Sequence, residues 1–225
     1  TGKYRNMLEK IAKSMKGKEN VFLILTALIL ALLSSIFGLS LMLFIFIPTL
    51  CGIIILMGYD KITAFITTFM APLIGIIGST YGTTVTGYIN DFIGTTFQTE
   101  LIAKIALFVI SFIIFIAFLL KYANTAKEKQ KSEVKEEIPF LGEKKESKKV
   151  SWPLFLILGI LLVLLILGCT DWSGVFETEF FTDLHKTLTE WTIKDNTVIA
   201  YLITDLEQFG KWYYGEMTVM VLIAS

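Results

Sequence analysis

Residues 72–90 read PLIGIIGSTYGTTVTGYIN, and they place many Gly, Ser and Thr residues inside a stretch that is otherwise apolar. Helix interiors disfavour Gly, and backbone polar groups that lack a partner in hydrocarbon are costly. A polar interruption of this kind therefore needs compensation by protein neighbours, by a water-filled cavity or by a ligand. We interpret the stretch as a break in a membrane helix and as a candidate binding site.

The composition of the whole chain indicates a membrane protein. Of the 225 residues, 54% are hydrophobic and 13% aromatic, and the mean hydropathy is +0.68, whereas soluble domains contain about 45–50% apolar residues. Cys51 and Cys169 lie far apart in or beside apolar runs, and His185 has no neighbours at zinc-ligand spacing. The sequence therefore indicates neither a disulfide framework nor a metal site, and we expect no enzyme activity.

The pattern of charge and hydropathy divides the chain into eight segments. We expect a basic lead-in at 1–20, a re-entrant hairpin at 21–59, a broken transmembrane helix at 62–97, a transmembrane helix at 101–121, a charged linker at 122–151, a further transmembrane helix at 152–169, an acidic amphipathic segment at 171–216 and the start of another transmembrane helix at 217–225. Two short crossings are the alternative for the hairpin. Since the last apolar run stops after nine uncharged residues, we expect a fragment of a longer protein.

The distribution of charge predicts the topology. Residues 1–20 carry six Lys or Arg against two Glu, and 121–151 carry nine Lys against six Glu, whereas 171–216 hold nine acidic residues and three Lys. Because Lys and Arg favour the cytoplasmic side, we expect 1–20 and 122–151 to be cytoplasmic and 171–216 extracytoplasmic. An even number of crossings must then separate the two basic segments. It follows that 62–97 crosses once, as two half-helices joined at GSTYGTT.

Unwound backbone inside a membrane can bind ions or substrates, because free carbonyls attract cations and helix N-termini attract anions. The hydroxyl groups and glycines of both interruptions are the candidate substrate- or ion-binding residues. They are Ser34, Ser35, Gly38 and Ser40 in the first interruption, and Gly78, Ser79, Thr80, Gly82, Thr83 and Thr84 in the second. The alternative is that the small residues only allow helices to pack closely. At the first interruption both interpretations stay open, and at the second we favour binding.

Three segments carry a family resemblance: MGYDKITAFITTFMAPLIGIIGSTYG (57–82), LLKYANTAK (119–127) and AYLITDLEQFGKWYYGEMTVMVLIAS (200–225). They resemble the C4-dicarboxylate anaerobic carrier family, particularly its YfcC-like branch, within the ion transporter superfamily. The resemblance implies inverted repeats, each with a hairpin and a broken helix whose tips form the site, and an elevator-type mechanism. It places the hairpin tip at 34–40 and the helix break at Ser79 and Thr80.

We therefore expect an all-α fragment of a secondary transporter in the bacterial inner membrane, acting by ion coupling or by exchange. Its predicted partners are a small organic anion or amino acid, the lipid bilayer and a second copy of the full-length protein, with no nucleic acid. A coupling Na⁺ or H⁺ is the only predicted cofactor. The alternative from another functional class is a membrane anchor or assembly subunit that transports nothing.

Overall fold

The structure, a computed structural model, describes residues 2–39, 42–80, 92–94, 101–130, 152–170, 172–190, 207–212, 215–216 and 218–220. Within these ranges every regular element is helical, which confirms the predicted all-α fold class. The helices are α1 (Gly2–Ser14), α2 (Glu19–Phe37), α3 (Ile47–Leu56), α4 (Lys61–Phe65), α5 (Ala71–Ile77), α6 (Leu101–Gln130), α7 (Trp152–Cys169), α8 (Trp172–Phe176) and α9 (Phe180–Glu190).

Helices α2 and α3 run in opposite directions around the first polar interruption. One face of α2 is buried, and the opposite face exposes a stripe of aliphatic side chains. The helix ends at Gly38, whose φ of 69° is the left-handed conformation that glycine adopts without strain. The Gly38 N–H donates to the Ser34 carbonyl over 3.0 Å. After the turn, a 3₁₀ helix at Met42–Phe46 leads into α3.

Helices α4 and α5 are joined by a π-helical turn, Ile66–Met70, so that one helical rod runs from Lys61 to Ile77. Asp60 caps its start, because the carboxylate accepts the N–H of Thr63 over 3.1 Å. The rod ends at Gly78. Apart from 92–94, the second half of the predicted broken helix lies outside the described residues.

Helix α6 passes the predicted end of its transmembrane segment at residue 121 and continues to Gln130, into the predicted charged linker. The extension is rich in Ala, Lys and Gln, which favour helix, and Ala123 within it is fully buried. Helices α2 and α6 are each long and apolar enough to cross a bilayer. Both helices expose large aliphatic side chains, as is typical of a surface that faces lipid.

A polar network joins the start of α2, the connection at 57–60 and the end of α6. The buried Tyr59 hydroxyl donates to Asn20 Oδ1 over 2.5 Å, and Asn20 Nδ2 donates to Asn124 Oδ1 over 3.2 Å. The Tyr122 hydroxyl donates to the second carboxylate oxygen of Asp60 over 3.2 Å. These contacts place the two ends of the hairpin beside the C-terminal part of α6.

Two apolar clusters hold the helices together. The first joins α1 to both hairpin helices and to the connection at 57–60, and it includes Met7, Leu8, Leu23, Ile54 and Tyr59. The second joins α2, α5, α6 and α7, and it includes Leu30, Ala71, Phe115, Leu119 and Leu165. Helix α1 is therefore packed on the hairpin, with a hydrogen-bond contact of 3.1 Å between the Tyr4 hydroxyl and Thr49 Oγ1.

Helix α7 spans Trp152–Cys169, and its end is covered by residues 207–212. The Gly168 carbonyl accepts the N–H of Gly210 over 2.8 Å and that of Trp212 over 3.0 Å. Trp212 packs so closely on the helix that a Cβ at Gly168 would lie 2.2 Å from its ring. The segment 207–212 is thus fixed to the end of α7.

Candidate functional site

The two serines at the end of α2 bond to the two ends of α5. Ser34 Oγ donates to the carbonyl of Pro72, in the first turn of α5, over 2.7 Å, and Ser35 Oγ donates to the carbonyl of Gly78, which follows its last turn, over 2.7 Å. Both serines are 1% exposed. Because hydrogen bonds are electrostatically stronger away from water, these two connect the hairpin firmly to the neighbouring helix.

Thr80 completes this junction from the irregular backbone beyond α5. Its N–H donates to the Ser35 carbonyl over 3.1 Å, and its hydroxyl lies 3.3 Å from the same carbonyl and 3.3 Å from Ser35 Oγ. Thr80 and the adjacent Ser79 are each 7% exposed. Since buried backbone groups require partners, the N–H of Thr80 depends on α2, whereas the N–H of Ser79 still donates to the Ile76 carbonyl of α5 over 3.1 Å.

Two glycines allow the helices to approach closely at the junction. A Cβ at Gly75 would lie 2.3 Å from the Ala31 carbonyl oxygen, and a Cβ at Gly78 would lie 2.3 Å from the Phe108 Cβ. The first contact brings α5 against α2, and the second brings its end against α6. Close packing therefore accounts for these two glycines, as the alternative interpretation of the sequence proposed.

The structure brings together part of the predicted site. Ser35, Gly78 and Thr80 form one hydrogen-bonded group, with Ser79 buried between the last two, and Ser34 bonds separately to Pro72 in the first turn of α5. Gly38 instead serves as the C-cap of α2. The remaining predicted residues, Ser40, Gly82, Thr83 and Thr84, lie outside the described residues.

Three buried threonines on the α4–α5 rod did not figure among the predicted site residues. Thr63, Thr67 and Thr68 are each 0% exposed, and the last two donate to carbonyls one turn earlier, over 2.8 and 2.9 Å. They flank or form the π-helical turn, an irregularity frequent at functional sites. The stretch ITAFITTF (62–69), in which threonines recur within an apolar helix, is the feature of the sequence that could have identified these residues.

The electrostatics of the junction come from helix ends. Helices α2 and α5 both finish there, and the C-terminal end of a helix carries a partial negative charge of about half an electron. The junction is thus suited to a cation. Within the described ranges, no group of three or more His, Cys, Asp or Glu side chains is placed to hold a metal ion, so a cation would depend on carbonyl and hydroxyl oxygens.

Comparison with known proteins identifies the family. No curated protein and no solved structure matches the chain. The model of the C4-dicarboxylate anaerobic carrier family matches residues 1–223, which is nearly the whole chain. This match confirms the family resemblance and the assignment to a membrane transporter family that is not a family of enzymes, whereas the YfcC-like branch stays a prediction. The chain belongs to the C4-dicarboxylate anaerobic carrier family.

Proposed function

We propose that this chain contributes to the binding site of a secondary transporter for small organic anions of the C4-dicarboxylate class. The observation that carries the proposal is the direct hydrogen bonding of Ser35, at the end of α2, to Gly78 and Thr80 in the helix break. Two polar interruptions separated by more than forty residues in sequence meet at one buried point. The family membership supports dicarboxylate transport, and amino acids are the alternative substrate class.

The chemistry of the junction favours a division of roles. The C-terminal ends of α2 and α5 attract a cation, and the hydroxyls of Ser35 and Thr80 supply neutral oxygen ligands. We assign the coupling ion, Na⁺ or H⁺, to this side of the site. The dicarboxylate requires the opposite polarity, which helix N-termini supply, and we assign it to the side of the hairpin where the chain turns back toward α3.

The relative heights of the helix ends support a re-entrant hairpin. The polar network places Asn20 beside Asn124 on α6, and the junction lies beside Phe108 on the same helix. Helix α6 continues for seven more residues to Leu101, a rise of about 10 Å. A hairpin tip at this level stops short of the far end of α6. We therefore infer that 21–59 enters and leaves the membrane on one side, as elevator-type transporters require.

Uptake by the full-length protein in proteoliposomes tests the site. Thr80→Val removes the hydroxyl at nearly constant volume, and we expect about a tenfold loss of succinate uptake for each 1.4 kcal/mol of binding free energy removed. Thr125→Val is the matched control, because the Thr125 hydroxyl is exposed and donates to the Lys121 carbonyl of the same helix over 2.9 Å. Wild-type uptake by a folded Thr80→Val variant would remove this residue from the site.

The anchor or assembly-subunit alternative predicts that even the wild-type full-length protein shows no succinate uptake above that of empty proteoliposomes. If the protein transports but the small residues at the junction serve packing alone, the Thr80→Val substitution lowers thermal stability and leaves uptake and its dependence on Na⁺ or pH unchanged. Competition by unlabelled dicarboxylate, but not by amino acids, would identify the substrate class. Crosslinking of the full-length protein in membranes would test the proposed homodimer.

A further inference from the structure

A cluster of aromatic rings covers the end of α7. The Trp172 ring stacks on Phe176 at 5.4 Å and is tilted against Phe181 at 5.1 Å, measured between ring centroids. Phe181 meets the edge of Phe209 at 5.7 Å, and Phe209 stacks on Trp212 at 5.0 Å. These five rings link α8, α9 and the segment 207–212 into one aromatic cap.

The aromatic cap is attached to the helix by backbone hydrogen bonds, so its depth is fixed relative to α7. The Trp172 indole N–H donates to the Leu167 carbonyl over 2.8 Å. On the other side, the Gly168 carbonyl accepts two N–H groups from residues 207–212. Phe176 stacks on Trp172, and Trp172 is bonded to the last turn of α7, so Phe176 is held close to the end of this helix.

Two aromatic rings at the aromatic cap are largely exposed. Phe176 is 58% exposed, and Phe180, which meets the edge of Phe181 at 5.2 Å, is 63% exposed. The residues beside them, Glu177 and Glu179, are exposed charges. Earlier in α7, four aliphatic side chains are also about half exposed: Leu156, Ile157, Ile160 and Val163. The exposed rings therefore lie at the end of an apolar helix that itself carries exposed aliphatic side chains.

We propose that Phe176 and Phe180 insert into the bilayer leaflet at which α7 ends, at the level where acyl chains meet headgroups. Aromatic side chains are enriched at this level, and the neighbouring glutamates lie within reach of the aqueous side. The position of the rings at the end of an apolar helix that carries exposed aliphatic side chains favours lipid over a second copy of the chain or a soluble protein. The cap then sets the height of α7 in the membrane, a role separate from binding substrate.

Fluorescence quenching in vesicles tests the insertion. The full chain, with Cys51→Ala and Cys169→Ala, is labelled with the fluorophore NBD at Phe180→Cys and reconstituted into phosphatidylcholine vesicles. Lys186→Cys is the control, since it is exposed on the same helix but is turned away from Phe180. Because interfacial helices bury their apolar face about 5–10 Å deep, lipid carrying a 5-doxyl group should quench Phe180→Cys about twofold more than Lys186→Cys.

Each other result contradicts the proposal. Equal quenching by doxyl lipid at the two positions would place both outside the bilayer or both inside it. Strong quenching of Phe180→Cys by aqueous iodide would leave the ring in water, and protection from both quenchers would mean that protein covers it. If the NBD label prevents folding, a nitroxide at the same cysteine and its accessibility to oxygen and to nickel chelate answer the same question.

Discussion

Ser35 shows how a single side chain compensates a break in a membrane helix. Its hydroxyl donates to the carbonyl of Gly78, and its own carbonyl accepts the N–H of Thr80. An unpaired buried carbonyl or N–H would cost about 1–3 kcal/mol. The serine therefore allows α5 to end inside the packed helices, which a longer or apolar side chain could not do.

At the residue scale, Gly78→Ala should destabilise the protein by about 1–3 kcal/mol, the usual cost of overpacking. The new methyl group would lie 2.3 Å from Phe108 Cβ and 2.5 Å from its Cα, so α6 would have to move. Gly159→Ala is the matched control, because nothing lies within 4 Å of that position. Thermal unfolding in detergent measures both, and equal melting temperatures would show that α6 is not packed against Gly78.

A second residue-scale prediction concerns pH. Burial, assisted by the charge of Glu19, raises the pKa of Tyr59 from 10.0 to about 12. The folded state therefore holds this proton more tightly than the unfolded state, so the stabilisation is complete below pH 10 and decreases as the pH rises toward 12. Tyr59→Phe should reduce this alkaline loss of stability. Melting temperatures at pH 9 and pH 11 measure it, and the same decrease in both proteins would exclude a contribution from Tyr59.

At the element scale, Asp60 fixes the start of the helical rod whose other end lies at the junction. Asp60 accepts both the N–H and the hydroxyl of Thr63, and it also accepts the hydroxyl of Tyr122 on α6. One carboxylate thus starts α4 and fixes it to α6. The π-helical turn Ile66–Met70 follows α4 and rotates the faces of the helix relative to those of α4 before α5 packs against α2.

Asp60→Ala should therefore cost about 1–2 kcal/mol, the range for loss of an N-cap. Asp60→Asn retains an oxygen for the cap and should cost less. A double-mutant cycle with Tyr122→Phe separates the contact with α6 from the capping, because only the carboxylate reaches both partners. Strict additivity of Asp60→Ala and Tyr122→Phe in chemical unfolding would contradict the contact between these residues.

At the scale of the whole molecule, the polar network of Asn20, Tyr59 and Asn124 sets which helix ends share a side of the membrane. The contact between Asn20 and Asn124 joins residues more than one hundred positions apart. It places the start of the hairpin beside the C-terminal part of α6. The positive-inside rule predicts that this side is cytoplasmic.

Cysteine labelling tests this arrangement in the full-length protein with Cys51 and Cys169 replaced by alanine. We expect cysteines at Lys18 and Lys127 to react with an impermeant maleimide from the cytoplasmic side. A cysteine at Thr96, at the predicted outer end of the segment 62–97, should react from outside. Labelling of Lys18→Cys and Lys127→Cys from opposite sides would contradict both the network and the even number of crossings predicted between the two basic segments.

The sequence by itself determined the helical membrane class, the family and the positions of both polar interruptions. These properties are local, since they depend on hydropathy over about twenty residues and on where Gly, Ser and Thr interrupt it. The charge bias, taken with the length of 62–97 and its polar interruption, also predicted a helix break at GSTYGTT. In the described part of that stretch, Gly78 to Thr80, the helical rod ends at Gly78.

Only the tertiary structure decided what each polar group binds and which helices approach. Ser34 and Ser35 share a sequence motif, yet they donate to different carbonyls of another segment. The small size of Gly78 serves an approach to Phe108, and Gly38 serves as a cap, although the sequence predicted the same role for both. Such assignments depend on packing between residues that are distant in the chain. A local pattern of polarity carries no information about that packing.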